Sequence, residues 1–235
     1  KIILIFIVLT AVTQIGGVVY LASFSFHRII HHRIERKGFQ RMAKFAGFLL
    51  LYCVATFAVV PLLAKPFGRV PLPISGSQTL KPHNFFTYFF NRHYVRPPLK
   101  NSALEIAGQM DAQFPGSITH YLDANFPFFN GFPLFPHLSH SDGKKLDLSF
   151  FYQDNSTGKP THKTPSIIGY GVCEGPLPNE KNTALNCAAQ GFWQYSFLEY
   201  IVPQGRKRRF VFDEARTKAL ILLCAQQKSI GKLFI

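Results

Sequence analysis

Residues 136–152 read PHLSHSDGKKLDLSFFY, which joins a polar turn to an alternating segment. Asp142 and Gly143 are residues typical of a turn. Residues 145–152 then have the alternation of a strand, with Asp147, Ser149 and Phe151 on one face and Leu146, Leu148 and Phe150 on the other. Successive side chains of a strand point to opposite faces, so the side chain of Asp147 points to one face and those of its two apolar neighbours point to the other. The stretch therefore predicts a turn followed by a strand that holds one carboxylate away from its apolar face.

The same stretch contains metal-ligand side chains with the spacing H-x-x-H-x6-D, namely His137, His140 and Asp147. Catalytic zinc is usually held by three ligands chosen from His, Asp and Glu, with water in the open position. A carboxylate inside an apolar strand is costly to bury unless it is paired or binds a metal. Histidines near turns and capping aspartates are also common without an ion, so the spacing alone leaves both interpretations open.

Two apolar stretches near the N-terminal end are each long enough to cross a membrane. Residues 2–24 have only mildly polar interruptions, and residues 45–64 carry no charge. A helix needs about 20 residues, at ~1.5 Å each, to cross a hydrocarbon layer of about 30 Å. The alternatives are a signal peptide for the first stretch, although such apolar regions have only about 7–15 residues, and a buried core helix for the second. We therefore predict a two-helix transmembrane hairpin over residues 1–64.

The loop between the two stretches, residues 27–44, is strongly basic and contains a single acidic residue, Glu35. Short loops rich in Lys and Arg remain on the cytoplasmic side of a membrane. This rule places the loop in the cytoplasm and everything after residue 64 on the other side. The three histidines of the loop are better explained by a basic surface facing lipid headgroups than by a metal site.

A linker and an exported domain follow. Residues 65–76 are rich in Pro and Gly, which indicates a stiff linker, and residues 77–235 have the mixed composition of a globular domain. In this domain we predict helices at 102–113, in part of 183–201 and at 214–228, and strands at 118–126, 145–152 and 232–235. Asn101 and Asp213 are the predicted N-caps of the first and last helices, and Gly231 is the predicted stop of the last. Helices and strands do not alternate strictly, so the predicted fold class is α+β.

Two of the four cysteines flank a segment with the composition of a loop. Cys173 and Cys187 enclose a stretch rich in Gly, Pro and Asn, and an oxidising compartment would allow a disulfide between them. Two free thiols are the alternative. Cys53 lies within the second apolar stretch, and Cys224 lies on the apolar face of the last predicted helix, so we expect both thiols to be inert.

Residues 139–147, S-H-S-D-G-K-K-L-D, resemble the H-x6-D element of the peptidase superfamily that includes lysostaphin, the D-Ala-D-Ala metallopeptidases and the signalling domain of hedgehog proteins. With the preceding histidine, the motif looks most like that of the penicillin-insensitive murein endopeptidases. This resemblance implies a small antiparallel sheet with flanking helices. It also implies His140 and Asp147 as zinc ligands and His137 as an auxiliary catalytic histidine. It extends over about residues 100–235, of which only this motif is specific, and the two apolar stretches are not part of the family pattern.

The activity implied by the resemblance is that of a zinc metallopeptidase that cleaves peptide bonds of peptidoglycan, as a murein endopeptidase or a DD-carboxypeptidase. Zinc chemistry predicts that a zinc-bound hydroxide attacks the peptide carbonyl. The expected location is the bacterial inner membrane, as a multi-pass protein with its C-terminal domain on the periplasmic or outer side. The alternative is a non-catalytic cell-envelope binding module of the same fold.

The superfamily takes its third zinc ligand from a later H-x-H motif, and this sequence contains no H-x-H. The sequence begins with Lys1 and ends within an apolar run at Ile235, so we expect the natural protein to continue at both ends. The third ligand is therefore predicted beyond Ile235.

The expected partners are peptidoglycan peptides and the lipid bilayer, with Zn²⁺ as cofactor. The net charge of +14 does not indicate nucleic acid, because the basic run 206–209 is typical of a solvated turn and no nucleic acid is expected outside the membrane. A serine hydrolase is disfavoured because no G-x-S-x-G motif occurs. Substrate-binding residues remain unknown. The segment containing Arg92, His93, Tyr94 and Arg96 could meet a carboxylate, but an exposed basic loop explains it better.

Overall fold

The computed structural model describes residues 1–170, 176, 178–194, 200, 202 and 204–235. Over these residues the chain is a mixture of helices and small sheets, which agrees at a coarse level with the predicted α+β class.

The first predicted span is not a single helix. Helix α1 (Ile2–Thr13) ends at Gln14, whose φ of 66° lies in the left-handed region, and α2 (Gly16–Ala22) follows. A Cβ atom added to Gly17 would lie 2.6 Å from the carbonyl oxygen of Phe6. In a continuous helix, residues eleven positions apart are about 16 Å apart. The chain therefore reverses direction at Gln14, and the apolar stretch 2–24 is divided between two helices.

The close approach of these two helices depends on small and hydroxyl side chains. Thr13 Oγ1 donates to the carbonyl oxygen of Leu9 and accepts from the N–H of Gly16, each at 2.8 Å. A Cβ atom added to Gly16 would lie 2.6 Å from Thr13 Oγ1. Glycine is needed here because any side chain would push α2 away from α1.

The chain stays helical after α2. A 3₁₀ segment (Ser23–Phe26) leads into α3 (His27–Arg33). Most of the predicted basic loop 27–44 is therefore helical, and only residues 34–36 connect α3 to the next helix. Its positive charges lie at the ends of two helices rather than on a flexible loop.

The next helix is 27 residues long, Lys37–Leu63, and we call it the long helix. It consists of α4 (Lys37–Val54), a π-helical segment (Ala55–Val59) and α5 (Val60–Leu63). Among the described helices it is the one long and apolar enough to cross a membrane, judged by length and composition. It contains nearly all of the second predicted span.

The rest of the described chain, which we call the outer part, consists of short strands and helices. In chain order these are a 3₁₀ turn (Lys65–Phe67), β1 (Val70–Pro71), β2 (Leu80–Pro82), α6 (Phe85–Phe89), β3 (Tyr94–Val95), α7 (Pro97–Gln113), β4 (Thr119–Tyr121), β5 (Tyr152–Asp154), β6 (Pro160–Thr161), α8 (Thr183–Ala189), a 3₁₀ segment (Gln204–Arg209), β7 (Phe210–Phe212) and α9 (Glu214–Gln226). β1 pairs antiparallel with β3, and β2 pairs parallel with β4. β5 lies between β6 and β7 in an antiparallel sheet.

The predicted helix boundaries were partly wrong. α7 begins at Pro97 rather than at residue 102, because proline in a first helical turn lacks only an N–H that would have no helical partner. The predicted cap Asn101 therefore lies inside the helix. α8 forms within the predicted range 183–201. The predicted strands 118–126 and 145–152 contain only β4 and the first residue of β5 as regular strand.

The C-terminal end differs most from the prediction. Asp213 caps α9 as predicted, because its carboxylate accepts from the N–H of Arg216 at 3.0 Å. The helix ends at Gln226, before the predicted stop at Gly231, and residues 232–235 form no strand. A strand needs a neighbour for its backbone groups, and these residues are exposed with no pairing among the described residues.

Helix α7 links two apolar clusters of the outer part. Ala103 and Ala107 pack with the residues of β2 and β4, whereas Ile106 and Met110 pack against α9. Cys224 of α9 is buried in the second cluster, as predicted from its helical position. α7 therefore forms the centre of the outer part.

Hydrogen bonds join the outer part to the N-terminal helices. Tyr52 of the long helix donates to the carbonyl oxygen of Phe89 at 2.6 Å. The Asn91 side chain donates to Tyr52 Oη at 3.2 Å, and Gln14 Oε1 accepts from the N–H of Phe128 at 2.9 Å. The turn at Gln14 is therefore held by the outer part as well as by its own helices.

The first testable prediction concerns the buried ion pair of α9. Asp213 accepts from Arg216 Nε at 2.7 Å and from Gln153 Nε2 at 2.9 Å. Replacing Asp213 by Ala leaves the buried guanidinium without its charge partner, so the free energy of unfolding should fall by about 3 kcal/mol. Denaturant unfolding in a mild detergent measures the change, and Glu105→Ala on the exposed face of α7 is the control.

The same pair predicts a pH dependence. Burial opposes the charge of Asp213, but its hydrogen bonds outweigh this effect and hold its pKa below the ordinary value. A depressed pKa contributes stability that is present above the unfolded pKa of about 3.9 and is lost as pH falls through the lower folded pKa. The difference between the parent and Asp213→Ala should therefore shrink below about pH 4. If the difference in the free energy of unfolding between the two proteins were the same well below about pH 4 as at neutral pH, the assignment of a stabilising charge to Asp213 would be wrong.

Candidate metal centre

Two extended segments place a carboxylate next to the predicted histidines. The N–H of Asp147 donates to the carbonyl oxygen of Asp123 at 2.9 Å. The N–H of Leu122 donates to the carbonyl oxygen of Asp147 at 2.8 Å. The apolar neighbours of Asp147, Leu146 and Leu148, pack against the core cluster of β2 and β4. The Asp147 side chain points the other way, as the alternation of the sequence predicts.

The histidines lie on a loop of residues 126–143, which we call the histidine loop. A turn in which the N–H of His140 donates to the carbonyl oxygen of His137 at 2.9 Å brings the two rings to 5.3 Å. Gly143 ends the loop with a φ of 80°, and its N–H donates to Asn125 Oδ1 at 3.0 Å. A Cβ atom there would lie 3.2 Å from Arg96 Cγ, so both the backbone angle and the available space favour glycine.

His137, His140 and Asp147 each offer a ligand atom, and these atoms all lie within 4.8 Å of one another. His140 Nε2 is 3.2 Å from Asp147 Oδ1, and His137 Nδ1 is 3.4 Å from Asp147 Oδ2. Two donors bound at about 2.0–2.1 Å and at a tetrahedral angle lie roughly 3.3 Å apart. Each histidine nitrogen therefore lies at about this distance from one oxygen of Asp147, His140 Nε2 from Oδ1 and His137 Nδ1 from Oδ2.

The surrounding groups orient the ligand atoms. His140 Nδ1 lies 2.6 Å from the carbonyl oxygen of Ala124, which can only accept. Nδ1 therefore carries a proton in both charge states of the ring, and in the neutral ring the lone pair is on Nε2, the atom that faces Asp147. Tyr170 donates to Asp147 Oδ2 at 2.7 Å, and its oxygen accepts from the N–H of Asp123 at 3.0 Å. Such outer contacts are typical of metal ligands.

A second carboxylate lies beside the cluster. Asp123 Oδ2 is 3.6 Å from His137 Nε2 and accepts a hydrogen bond from Arg92 at 2.8 Å. Burial raises the pKa of Asp123 to about 6, although the Arg92 charge acts against this rise. Arg92 also donates to the carbonyl oxygen of Phe135 at 2.8 Å, which holds it beside the histidine loop.

The charges of the cluster are coupled. Burial opposes the charged form of His140, but the hydrogen bond and charge of Asp147 outweigh it and raise the His140 pKa. Burial likewise opposes the charge of Asp147, and its contacts with His140, Tyr170 and His137 lower its pKa. The pKa of His137 is lowered, chiefly by burial. Asp147 is therefore ionised near neutral pH, as a metal ligand must be.

The structure thus brings together the three residues that the sequence singled out, and adds two. Asp123 stands in a Leu-Asp pair within an extended apolar segment, as Asp147 does, so the same burial argument applied to it would have identified it. Tyr170 lies 23 residues beyond Asp147, and no spacing signal connects the two.

Other predicted residues lie elsewhere. Of the basic segment, Arg92 reaches the site, whereas His93 and Tyr94 are buried away from solvent, so the interpretation as an exposed loop was wrong for them. Arg96 Nε donates to the carbonyl oxygen of Asp142 at 3.2 Å and supports the loop turn.

The predicted disulfide is not tested by these contacts, because Cys173 lies outside the described residues. Cys187 has a free thiol in the described part of the chain. The third zinc ligand expected beyond Ile235 remains a prediction.

The chain matches no protein-family model, and neither a curated protein nor a solved structure is significantly similar to it. The arrangement of the side chains is therefore the basis for any functional conclusion.

Tyr170 provides a test of the metal centre. Replacing Tyr170 by Phe keeps the ring but removes two hydrogen bonds, the one that Tyr170 donates to Asp147 and the one that it accepts from the N–H of Asp123. Loss of an outer contact of this kind typically weakens metal affinity by about 10–100-fold. Competition with a chromogenic chelator measures the affinity, and Tyr200→Phe, at an 89% exposed position, is the control. Equal affinity in both variants would show that Tyr170 does not orient a ligand.

Proposed function

We propose that this chain is a membrane-anchored zinc metallopeptidase that acts on peptide bonds of peptidoglycan. The proposal rests chiefly on one observation, the convergence of His137, His140 and Asp147 with their ligand atoms within 4.8 Å. The resemblance of residues 136–147 to the murein endopeptidase motif adds the reaction class and the substrate. Endopeptidase and DD-carboxypeptidase action are both compatible with the proposal.

The donor set supports zinc among the common metals. Two imidazole nitrogens and one carboxylate oxygen are typical ligands of catalytic zinc, whereas magnesium and calcium prefer oxygen donors alone. Asp147 is ionised, and neutral His140 has its lone pair on Nε2, so a metal ion would compete only with the imidazolium proton that Asp147 favours on that nitrogen. Zinc held by three ligands would acidify a bound water and polarise the carbonyl group of the substrate.

The protein side chains have distinct roles in this proposal. His140 and Asp147 hold the metal, and Ala124 and Tyr170 fix their orientation. His137 is close enough to be a third ligand, and its Nε2 lies 3.6 Å from Asp123 Oδ2, just beyond hydrogen-bond distance. Arg92 keeps the charge of Asp123 balanced beside the site. The metal content of His137→Ala distinguishes these roles of His137, because a ligand variant loses zinc and an auxiliary variant retains it.

Anchoring is the second part of the proposal. The long helix has the length and composition of a span, and the basic residues of α3 and of the start of α4 favour the cytoplasmic side for that end. In this proposal the stretch 2–33, which reverses direction at Gln14, packs beside the long helix as the rest of the membrane-embedded part, and the outer part faces the periplasmic or outer side of a bacterial inner membrane. An insoluble wall substrate makes such anchoring useful, because it keeps the enzyme beside its target.

A non-catalytic binding module of the cell envelope is the second candidate. Asp147 already accepts a hydrogen bond from Tyr170 and lies near both histidines, so the polar groups satisfy one another without an ion. A self-satisfied cluster of this kind can serve structure or ligand binding alone.

Digestion of purified peptidoglycan tests the catalytic proposal. We expect the protein in detergent to convert crosslinked peptides into uncrosslinked or shortened ones, identified by mass, and a zinc chelator to abolish this conversion. His140→Ala should reduce the rate at least about 1,000-fold, because the metal is lost with its ligand. His162→Ala, an exposed histidine of the outer part, should retain full activity. Intact crosslinks together with stem peptides of unchanged length, in the presence of stoichiometric zinc, would favour the binding module.

Thiol labelling tests the orientation. In a variant without native cysteines, Ser156→Cys in the exposed turn after β5 should react with a membrane-impermeant maleimide added to intact spheroplasts. Arg36→Cys, in the connection before the long helix, should react only after the membrane is opened. The reverse pattern would overturn the proposed orientation.

A further inference from the structure

A cavity of about 350 Å³ lies where the long helix meets the outer part. Residues from both sides line it, among them Phe57, Pro61, Leu72, His93 and Lys100. Its volume falls at the lower end of the range for small-molecule sites, about 300–1,000 Å³. The cavity is separate from the metal centre, since none of its lining residues belongs to the cluster around Asp147.

His93 gives the cavity an unsatisfied polar group. The residue is 1% exposed, and its Nδ1 has no hydrogen-bond partner. Burial, together with the charge of Lys100, lowers the His93 pKa to about 3, so the ring is neutral. A buried polar atom without a partner destabilises a fold, and a bound ligand would supply the missing hydrogen bond.

Lys100 gives the cavity a positive charge. It stands in the first turns of α7, it is half-buried, and it is the one charged side chain among the lining residues, since His93 is neutral. Lys100 forms no ion pair with any residue that the structure describes. A partly desolvated ammonium without a counter-ion attracts an anionic group.

The helical wall of the cavity is distorted. Thr56 and Phe57 belong to the π-helical segment, and Pro61 follows it. Proline has no N–H, so a backbone carbonyl in the preceding turn lacks its helical partner. Single π-helical turns are often found at functional sites. On this side the wall is mostly apolar, while the charge lies on the side of the outer part.

We propose that this cavity binds an acidic phospholipid, with the phosphate beside Lys100 and His93 and the start of an acyl chain against Phe57 and Pro61. This inference rests on the proposed membrane anchoring. In that orientation the cavity lies near the outer end of the long helix, at the depth where phosphates of the outer leaflet meet hydrocarbon. The pairing of one cation with an apolar wall fits an amphiphile better than a free phosphate ion.

Native mass spectrometry of the full chain in a neutral detergent tests the site. We expect one molecule of phosphatidylglycerol to be retained in preference to phosphatidylcholine, whose choline group would oppose Lys100. Lys100→Gln should weaken the retention about five- to tenfold, the usual contribution of one favourable charge at a membrane surface or in a charged hydrogen bond. His93→Phe, which keeps a ring but removes the nitrogen atoms, should also weaken it.

Lys159→Gln, in the exposed turn between β5 and β6, is the matched control and should bind as the parent does. Thermal unfolding of each variant shows whether it is folded. Equal retention of the two lipids, or an unchanged affinity in folded Lys100→Gln, would overturn the proposal. Displacement of the lipid by millimolar inorganic phosphate would show a simple anion site instead and would also overturn it.

The lipid site and the peptidase activity can fail separately. Lys100→Gln should retain its zinc and should cleave peptidoglycan at the parent rate in detergent. Lipid binding without cleavage by the parent would reject the proposed function alone. Cleavage without selective lipid binding would reject the lipid site alone.

Discussion

One buried guanidinium holds in place the loop that carries both histidines of the candidate metal centre. Arg69 is 1% exposed, and its side chain donates to the carbonyl oxygen of Phe126, to Asn130 Oδ1 at 2.8 Å and to the carbonyl oxygen of Ser141 at 3.1 Å. These acceptors lie along the histidine loop, from its start to just past its second histidine. The N–H of Arg69 donates to the carbonyl oxygen of Ala64 at 3.1 Å, just beyond the long helix. A single residue thus joins the helix to the loop that carries the histidines.

A buried cation is costly unless acceptors replace water around it, and both terminal nitrogens of Arg69 have such acceptors, whereas its Nε has none among the described residues. The histidine loop has little regular structure, and its backbone carbonyls need donors as much as Arg69 needs acceptors. The position of the Arg69 side chain and the path of the histidine loop therefore depend on each other. The segment 65–76, predicted as a stiff linker, contains Arg69 and is partly packed for this reason. Gly143 must remain small because Arg69 Nε would lie 3.3 Å from an added Cβ.

The sequence predicted those features that depend on local pattern. The alternation around Asp147 was enough to orient its side chain, and the capping role of Asp213 followed from its place before an apolar helical run. Features that depend on distant contacts were missed. The reversal at Gln14 is stabilised by Phe128, more than a hundred residues away, and nothing in the apolar stretch signals it. Tyr170 reaches Asp147 through the fold alone, and the apolar run 232–235 looks like a strand but finds no pairing partner in the described chain.

The hydrogen bonds of Asn91 have a consequence for how the site meets a substrate. The Asn91 side chain joins Tyr52 of the long helix to the outer part at 3.2 Å, and Tyr52 in turn contacts Phe89. With Gln14 bonded to Phe128 as well, the outer part is fastened to its helical base at several points rather than tethered by a flexible stalk. In the proposed membrane-anchored enzyme, a centre mounted in this way would work at one fixed height above the bilayer. It would sample a thin layer of its surroundings, and the substrate would have to come to that layer.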